Sequence, residues 1–239
     1  MTLSALILAA GRGERMRPLT DRTPKPLLPV QGKPLIEWHL EALARDGVRH
    51  VVINTAWLEE QIPAALGDGT RWGLRIDYSM EGRDHGGALE TAGGIAKALP
   101  LLGDTFWVLA GDVFVPRFVF DPAAGLAQKS TLAHLLLVPN PPHNLKGDFG
   151  LAPDAIVLNQ AAQQYTYSTI GLYRRALFEA PWCDIPAGNP EGIAAPLAPL
   201  LRKAMSAGRI SGEIYAGSWT DVGTPERLTA LNQHRSEQE

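Results

Sequence analysis

The sequence predicts an α/β fold in which a mostly parallel sheet is flanked by helices. Three observations support this prediction. The first half of the chain alternates strand-like runs with segments of helical periodicity, and the first strand is apolar on both faces, as buried parallel strands are. Hydrophobic residues make up 45% of the 239 residues and charged residues 20%. A chain of this length and composition can bury the core of one α/β domain.

The elements of the first half follow from their residue patterns. A buried strand is predicted over LSALILA, and a helix over PLIEWHLEALARDG, where apolar residues lie at helical spacing between Pro34 and Gly47. Next come a strand at VRHVVIN, a helix at WLEEQIPAAL interrupted near Pro63, a strand at LRIDYS, a helix at LETAGGIAKAL and a strand at FWVLAGD. A sheet of this kind binds its ligand beyond the carboxyl ends of the strands.

The pattern changes after Pro139. Turn-forming residues dominate VPNPPHNLKGDFGLAPD, and short strand-like runs follow at AIVLN and YTYSTIGLY. Because no linker-like tract separates this stretch, we interpret it as an inserted sheet or lid within a single domain of residues 1–239. The first part of that domain covers about 1–138, and the lid and C-terminal elements cover about 139–239.

The last part of the chain is predicted to return to regular elements. A helix at IAAPLAPLLRKAMSAG is interrupted by Pro196 and Pro199, and a strand follows at RISGEIYAG. A final helix at TPERLTALNQHR begins with Thr224 as its N-cap and Pro225 at its first helical position.

Composition and charge limit the possible partners. The 22 Lys and Arg residues and 25 Asp and Glu residues give a net charge of -3, which argues against a nucleic-acid partner. Cys183 is the single cysteine, so a reducing compartment is expected. The apolar start lacks the cationic region of a signal peptide, and no apolar run approaches about 18 residues. We therefore expect a cytoplasmic protein that does not bind a membrane. The sequence implies no protein partner.

A basic loop containing glycine and proline follows the first strand. Gly11 and Gly13 would let backbone N–H groups approach a phosphate closely. Arg12, Arg15 and Lys25 would add charge-assisted donors aimed at a polyphosphate. Four prolines stiffen the segment, so these cations are held in place rather than mobile. Long structured loops of this kind tend to be functional.

The loop differs from two other phosphate-binding motifs. The third glycine of a dinucleotide fingerprint would fall at Met16, and the second strand ends at Asn54 instead of an acidic residue, which excludes a nicotinamide site of that type. The GKP sequence at Gly32 lacks the Ser or Thr of a Walker loop. The remaining interpretation is a phosphate site of another kind.

The segment LILAAGRGERMRPLTDRTPKPLLPVQGKPLI closely resembles the signature of the sugar-1-phosphate nucleotidyltransferases. LETAGGIAKAL, LAGDVF and WTDVGTPERL resemble three further segments of that family and occur in the family's order. The resemblance implies a Rossmann-like fold of the nucleotide-diphospho-sugar transferase type with an inserted sugar-binding lid. It also implies transfer of a nucleotidyl group from a nucleoside triphosphate to a sugar 1-phosphate, release of pyrophosphate, and Mg²⁺ as cofactor.

The resemblance also implies roles for the residues that match the family's motifs. Arg15 and Lys25 are the implied catalytic residues, with Lys25 near the α-phosphate. The implied metal ligands are Asp112 and Asp221. The implied nucleotide-binding residues are Ala9, Ala10, Gly11, Gly13, Glu81, Gly86, Thr91, Ala92 and Gly93. Gly171 is implied to lie near the sugar, and Asn144, Asp148 and Asn159 of the lid are further candidate sugar-binding residues.

The chemistry of the two aspartates agrees with a magnesium site. Mg²⁺ takes a few carboxylate oxygens and completes its shell with water and substrate phosphates. Either aspartate alone is more often a turn residue or a helix cap, so the prediction depends on their joint match to the family. No protein nucleophile or general base is required, because the attacking phosphate oxygen is already ionised.

The HNLKGDFGL segment and the short chain look most like the N-acetylmuramate-1-phosphate uridylyltransferases of bacterial cell-wall recycling, which favours UTP. A lactyl carboxylate would need donors, and Asn144, Lys146, Asn159 and Gln160 are available. Mannose-1-phosphate guanylyltransferases and glucose-1-phosphate uridylyl- or thymidylyltransferases share most of the signature and stay open as alternatives. A non-catalytic nucleotide-sugar-binding regulatory subunit is a further alternative. The ELEITD-like stretch of thymidylyltransferases is missing, and Arg202 is the candidate for its sugar-phosphate cation.

Overall fold

The computed structural model describes residues 3–121, 126 and 130–233. The strands found there, β1 to β13, are Ser4–Leu8, Pro29–Val30, Lys33–Pro34, His50–Thr55, Arg75–Met80, Thr105–Ala110, Val113–Phe114, Ala133–Val138, Gly150–Leu151, Val157–Leu158, Thr166–Arg174, Ile210–Ile214 and Thr220–Asp221. The α-helices, α1 to α6, are Leu35–Arg45, Gln61–Leu66, Glu81–His85, Glu90–Ala98, Leu197–Ser206 and Pro225–Gln233. Short 3-10 turns occupy Glu14–Met16, Leu19–Asp21, Lys25–Leu27, Thr70–Trp72, Leu99–Leu101 and Arg175–Phe178.

Seven strands form one central sheet in the order β12-β8-β11-β6-β1-β4-β5. The pairs β1–β6, β1–β4, β4–β5 and β8–β12 are parallel. Strand β11 is antiparallel to both of its neighbours, β6 and β8. The sheet is therefore mostly parallel, and the predicted fold class is confirmed.

This topology gives the sheet one edge at which most strands end. The carboxyl ends of β1, β4, β6 and β8 meet there, because these strands run in the same direction. Strand β11 runs the other way, so its first residues, Thr166 and Tyr167, lie at the same edge, opposite Val138 and Leu137 of β8. Loops that follow four strands and precede a fifth therefore converge on one place.

Helices cover both faces of the sheet, and strand β1 shows how the two cores divide. Leu6 packs into the apolar cluster beneath α4 and α5, whereas Ala5 and Ile7 pack into the cluster beneath α1 and α2. All three side chains are fully buried. Successive strand residues point to opposite faces, so a strand covered on both sides must be apolar at every position. Burying one leucine-sized side chain contributes about 1.5–3 kcal/mol.

The prolines that were expected to interrupt two helices do not do so. Helix α2 begins at Gln61 and α5 begins at Leu197, so Pro63 and Pro199 each occupy the third position of a helix. The N–H groups of the first helical turn have no partner within the helix, and a proline there removes no hydrogen bond. Pro196 precedes α5 as its N-cap residue. The expected interruptions are therefore wrong.

The chain after Pro139, expected to form an inserted sheet or lid, also contributes strands to the central sheet. The run YTYSTIGLY lies in β11, which pairs with β6 in the middle of the central sheet. The hairpin of β9 and β10 and the pair of β13 with β7 lie outside the central sheet. Strand β8 and helix α3 have no counterpart among the predicted elements. A short apolar run such as AHLLLV has no periodicity that separates a buried strand from a helix.

None of the helices in the described ranges is both long enough and apolar enough to cross a membrane.

Candidate active site

A cavity of about 580 Å³ opens at the carboxyl edge of the sheet, between the glycine loop and helix α5. A volume of this size suits a small-molecule site. The residues that line it from the first half of the chain include Ala9, Ala10, Gly11, Gly13, Lys25, Asn54, Thr91 and Asp112. Those from the second half include Asp148, Phe149, Tyr167, Thr169, Leu197, Leu201 and Arg202.

The glycine loop is shaped by its own backbone geometry. Gly13 has φ of 66°, and a Cβ atom there would lie 3.0 Å from Cγ2 of Thr20. The Thr20 hydroxyl donates a 2.8 Å hydrogen bond to the Gly13 carbonyl, which fixes the turn. At Gly11 a Cβ would meet no atom within 4 Å, so this residue presents open backbone to the cavity. Such a loop leaves room for a ligand to approach the main chain closely.

Lys25 and Asp112 form an ion pair at the wall of the cavity. Nζ of Lys25 lies 2.6 Å from Oδ2 of Asp112, and the lysine side chain is only 11% exposed. Lys25 begins a 3-10 turn of the proline-containing loop, and Asp112 follows β6. The pair brings a fixed positive charge and a carboxylate together at the end of two adjacent strands. A charge-assisted contact of this kind is stronger than a neutral hydrogen bond.

Asp221 neighbours Asp112 through the backbone. Strand β13 pairs with β7, and the Val222 N–H donates a 2.7 Å hydrogen bond to the Asp112 carbonyl. The Asp221 carboxylate lines an adjacent cleft, where Oδ1 lies 2.9 Å from Nε2 of His143 and also contacts Arg227. Asp221 is therefore close to the Lys25–Asp112 pair in the fold, while its side chain is held by two other basic groups.

Asp112 and Asp221 could hold a divalent cation only together with oxygens of a substrate. Among the described residues, no group of three or more His, Cys, Asp or Glu side chains could hold a metal ion. Two carboxylates on paired backbone segments are too few for a closed cage, but Mg²⁺ is commonly bound by one or two carboxylates together with substrate phosphates. Lys25 and Arg227 now neutralise these carboxylates.

A buried polar chain supports the glycine loop from behind. The Ala9 N–H donates a 2.7 Å hydrogen bond to Oδ1 of Asn54, whose amide group donates at 2.7 Å to Glu81. Glu81 is fully buried and also accepts the Leu89 N–H at 2.8 Å. Burial raises the pKa of Glu81, and these two hydrogen bonds act in the opposite direction. The Ala9 N–H, the Asn54 amide and the Glu81 carboxylate thus all have hydrogen-bond partners, which hold the end of β1 in place.

The other end of the cavity is built from the second half of the chain. Oδ2 of Asp148 accepts the Tyr167 N–H at 2.8 Å, and the Asn144 amide lies 3.3 Å from both carboxylate oxygens of Asp148. The Arg202 guanidinium lies 5.1 Å from the ring centroid of Phe149. This end of the cavity therefore contains a carboxylate that is fixed by hydrogen bonds, a cation and the aromatic ring of Phe149.

The structure brings together at the cavity many of the residues that the sequence predicted for the site. Its lining includes Ala9, Ala10, Gly11, Gly13, Lys25, Thr91, Asp112 and Asp148. Two of the predicted sugar residues act behind this surface: Asn144 holds Asp148, and Asn159 holds the backbone of Arg202.

Several predicted nucleotide-binding residues lie behind the cavity wall. Glu81 belongs to the buried polar chain. The N–H groups of Ala92 and Gly93 donate to the Ala195 carbonyl at 2.8 and 3.2 Å, so they are already satisfied. Gly86, with φ of 78°, ends helix α3 and is exposed.

Three further predicted residues also lie outside the cavity lining. Gly171 lies inside β11, where a Cβ would approach the Tyr173 ring to 2.9 Å, so it packs in the sheet. Arg15 is exposed on the turn Glu14–Met16 and has no hydrogen-bond or ionic partner among the described residues. Asp221 lines the adjacent cleft instead.

One cation of the basic loop is used differently from the expectation. The Arg12 guanidinium lies 3.4 Å from the ring centroid of Trp57 and donates to the Thr20 carbonyl and to Asp21. These contacts fold the loop onto Trp57, so in this structure the Arg12 side chain does not point at a phosphate.

Sequence reasoning missed four residues that build the site. In the sequence, Asn54 served only to exclude a dinucleotide site, because it stands where that site has an acidic residue. Its place at the end of β4 also indicates the edge of the sheet at which ligands bind. Tyr167 and Thr169 line the cavity because β11 is antiparallel, and Phe149 lines it next to them through its bridge with Tyr165. No local pattern reveals that direction.

Comparison with known proteins gives a family for this architecture. The sequence model described as Nucleotidyl transferase matches residues 4–155. The chain is 50% identical over 232 residues to N-acetylmuramate alpha-1-phosphate uridylyltransferase of Neisseria meningitidis, covering 95% of both chains. It is 32% identical over 252 residues to the protein of the same name from Caulobacter vibrioides, covering 98% of this chain and 97% of that protein.

The fold is also shared with solved structures. A candidate glucose-1-phosphate thymidylyltransferase from Bacillus anthracis, crystallised in complex with sucrose, superposes with a TM-score of 0.77 at 22% identity, covering 97% of this chain and 94% of that one. At this identity the likeness concerns the fold alone. The family match over more than half the chain and the 50% identical relative decide the assignment: this chain belongs to the nucleotidyl transferase family, among the sugar-1-phosphate nucleotidyltransferases.

Proposed function

We propose that the protein transfers the uridylyl group of UTP to N-acetylmuramic acid 1-phosphate, giving UDP-N-acetylmuramic acid and pyrophosphate in peptidoglycan recycling. The observation that carries this proposal is the 50% identity over 95% of both chains to the Neisseria meningitidis uridylyltransferase. The cavity supports it, because its two ends differ in chemistry. The first end has the glycine loop and Lys25, and the second has Asp148, Arg202 and aromatic rings.

The reaction joins two polyanions. An oxygen of the sugar phosphate attacks the α-phosphorus of the nucleotide, the bond from that phosphorus to the β-phosphate oxygen breaks, and pyrophosphate leaves with the electron pair. Two unit charges at 4 Å repel by about 4 kcal/mol at an effective dielectric near 20. The barrier is therefore largely electrostatic, and no proton transfer to the protein is required.

Lys25 is the residue best placed to offset this repulsion. Its ammonium group is largely buried at the cavity wall and held by Asp112. A charge that is fixed before the reaction needs no reorganisation when pyrophosphate departs. Arg15, exposed and unpaired among the described residues, would add a second cation on the glycine-loop side. The N–H groups near Gly11 and Gly13 would face the phosphates.

Asp112 and Asp221 would hold Mg²⁺, which would neutralise phosphate charge and align the α-phosphate for attack. We further assign nucleotide binding to about residues 1–138 and sugar binding to about 139–239, with Gly86, Thr91, Ala92 and Gly93 close to the nucleoside and Asn144, Asn159 and Gly171 supporting the sugar side.

A pyrophosphate-release assay tests this function. Each of the four nucleoside triphosphates is combined with N-acetylmuramic acid, N-acetylglucosamine, glucose and mannose 1-phosphates in the presence of Mg²⁺. We expect the highest kcat/KM with UTP and N-acetylmuramic acid 1-phosphate. Preference for GTP with mannose 1-phosphate, or for glucose 1-phosphate, would replace the proposed substrate. Tight binding of nucleotide sugars without any turnover would indicate a regulatory subunit.

A further inference from the structure

Two basic side chains line the cavity among the described residues, Lys25 and Arg202, and their surroundings differ. Lys25 is ion-paired with Asp112. Arg202 has no acidic partner in the described part of the chain. Its guanidinium contacts the Phe149 ring, and its Nη1 donates to the backbone carbonyl of Asn159 at 3.2 Å. A guanidinium has five N–H donors, so most of its hydrogen-bonding capacity is unused.

The position of Arg202 separates it from the reacting phosphates. Arg202 belongs to α5, which packs against α4, β10 and β12, and its side chain contacts Phe149 and Asn159, whereas Asp112 follows β6. Strands β6 and β12 are three places apart in the sheet, which corresponds to about 14 Å between strand axes. A cation at that end of the cavity addresses a part of the sugar away from the anomeric phosphate.

The guanidinium is held in place from behind. The Asn159 amide donates to the Arg202 carbonyl at 3.1 Å and to Oγ of Ser206 at 2.8 Å, while the Asn159 carbonyl accepts from the Arg202 side chain. Phe149 supports the flat group on one side. An arginine fixed in this way loses less conformational entropy when it binds a planar anion.

The nearby carboxylate does not compete for Arg202. Asp148 also lines this end of the cavity, but its oxygens accept from the Tyr167 N–H and the Asn144 amide. No ion pair joins Asp148 to Arg202 in the described structure. The cavity thus holds a carboxylate with two protein donors and an exposed guanidinium with no acidic partner among the described residues.

We propose that Arg202 binds the lactyl carboxylate of N-acetylmuramic acid 1-phosphate and is a specificity-determining residue. This rests on the proposed function, since the lactyl ether is the group that distinguishes this sugar from N-acetylglucosamine. The planar carboxylate matches the fork of a guanidinium. Asn159 is then a positioning residue that acts through Arg202.

The test compares N-acetylmuramic acid 1-phosphate with its carboxyl methyl ester, which keeps the sugar, phosphate and lactyl ether and removes only the charge. In the wild-type protein we expect esterification to lower kcat/KM at least tenfold, mainly through KM, because the ester carries no charge to strengthen a hydrogen bond from the guanidinium. In R202Q the acid and the ester should have equal kcat/KM, and R202K should lie between these cases. Calorimetric Kd values for the two sugar phosphates provide a readout independent of turnover.

K203Q is the matched control. Lys203 lies next to Arg202 on α5, is exposed, and donates to the carbonyls of Pro181 and Trp182 outside the cavity. We expect it to retain the wild-type ratio between acid and ester. If wild-type protein uses both compounds equally well, or R202Q weakens both by the same factor, Arg202 does not bind the carboxylate. If the wild-type protein turns over other sugar phosphates but not N-acetylmuramic acid 1-phosphate, the proposed function fails instead.

Discussion

His39 makes the stability of this protein sensitive to acid. It lies on the core face of α1, is 1% exposed, and its Nε2 atom has no hydrogen-bond partner among the described residues. Burial lowers the pKa of His39 from 6.5 to about 4, against the smaller opposing effects of a Val113 backbone hydrogen bond and the Asp112 charge. The imidazole is therefore neutral in the folded protein at pH 7.

The sign and size of the effect follow from this pKa. Between pH 6.5 and about 4 the unfolded chain takes up a proton on His39 that the folded chain does not, so the free energy of unfolding falls as the pH falls through that window. At about 1.4 kcal/mol for each pKa unit, the full loss reaches about 3 kcal/mol. Above pH 6.5 this contribution is constant.

Urea unfolding at half-unit intervals from pH 7 to pH 4 measures the effect in wild-type protein and in H39L. Leucine is close in volume and does not titrate, so H39L should lose about 3 kcal/mol less than wild type over this window, while other groups contribute equally to both. H39Q, polar but not titrating, serves as the second variant. Parallel pH curves for wild type and both variants would refute the argument.

Three further predictions concern the site and its support. K25A should have the circular dichroism spectrum of the wild-type protein and a kcat/KM for pyrophosphate release at least ~100-fold lower. K33A is the control, because it removes a surface cation of the same loop that is paired with Glu41, and it should change kcat/KM little. N54A should lower the free energy of unfolding by about 2–4 kcal/mol in urea titrations, because it leaves the buried Ala9 N–H and Oε1 of the buried Glu81 carboxylate without a partner. An unchanged value would contradict the role of this buried polar chain. G93A should lower the free energy of unfolding by about 1–3 kcal/mol, because its Cβ would lie 2.3 Å from a backbone carbonyl oxygen. In G87A the new Cβ meets nothing within 4 Å, so this variant should leave the free energy of unfolding unchanged.

The family signature and the strand pattern predicted the first half of the fold. Residues from Ala9 to Gly13 lie at the end of β1, and Asp112 lies just after β6, as the order of strands and motifs indicates. These are local features, because a glycine loop after a buried strand is read from adjacent residues. Local sequence patterns predicted the second half of the fold less well, because a run such as AHLLLV fits either a strand or a helix.

Asn159 and Gly171 show why the sugar side could not be predicted residue by residue. Both were predicted for the sugar site, Gly171 by resemblance and Asn159 as an available donor, yet Asn159 holds Arg202 and Gly171 packs inside β11. Whether a residue faces a cavity depends on the direction of its strand and on the helix that covers it. These depend on contacts between segments that are distant in sequence.

The sequence by itself determined the alternation of strands and helices, the stiff basic loop after β1, and the family to which the chain belongs, because each depends on short runs of residues. Only the tertiary structure decided that Lys25 pairs with Asp112, that Asp221 reaches its neighbourhood through β13, and that Arg202 faces the opposite end of the cavity. The physical reason is that one antiparallel strand and the packing of α5 bring the two halves of the chain to a single edge of the sheet.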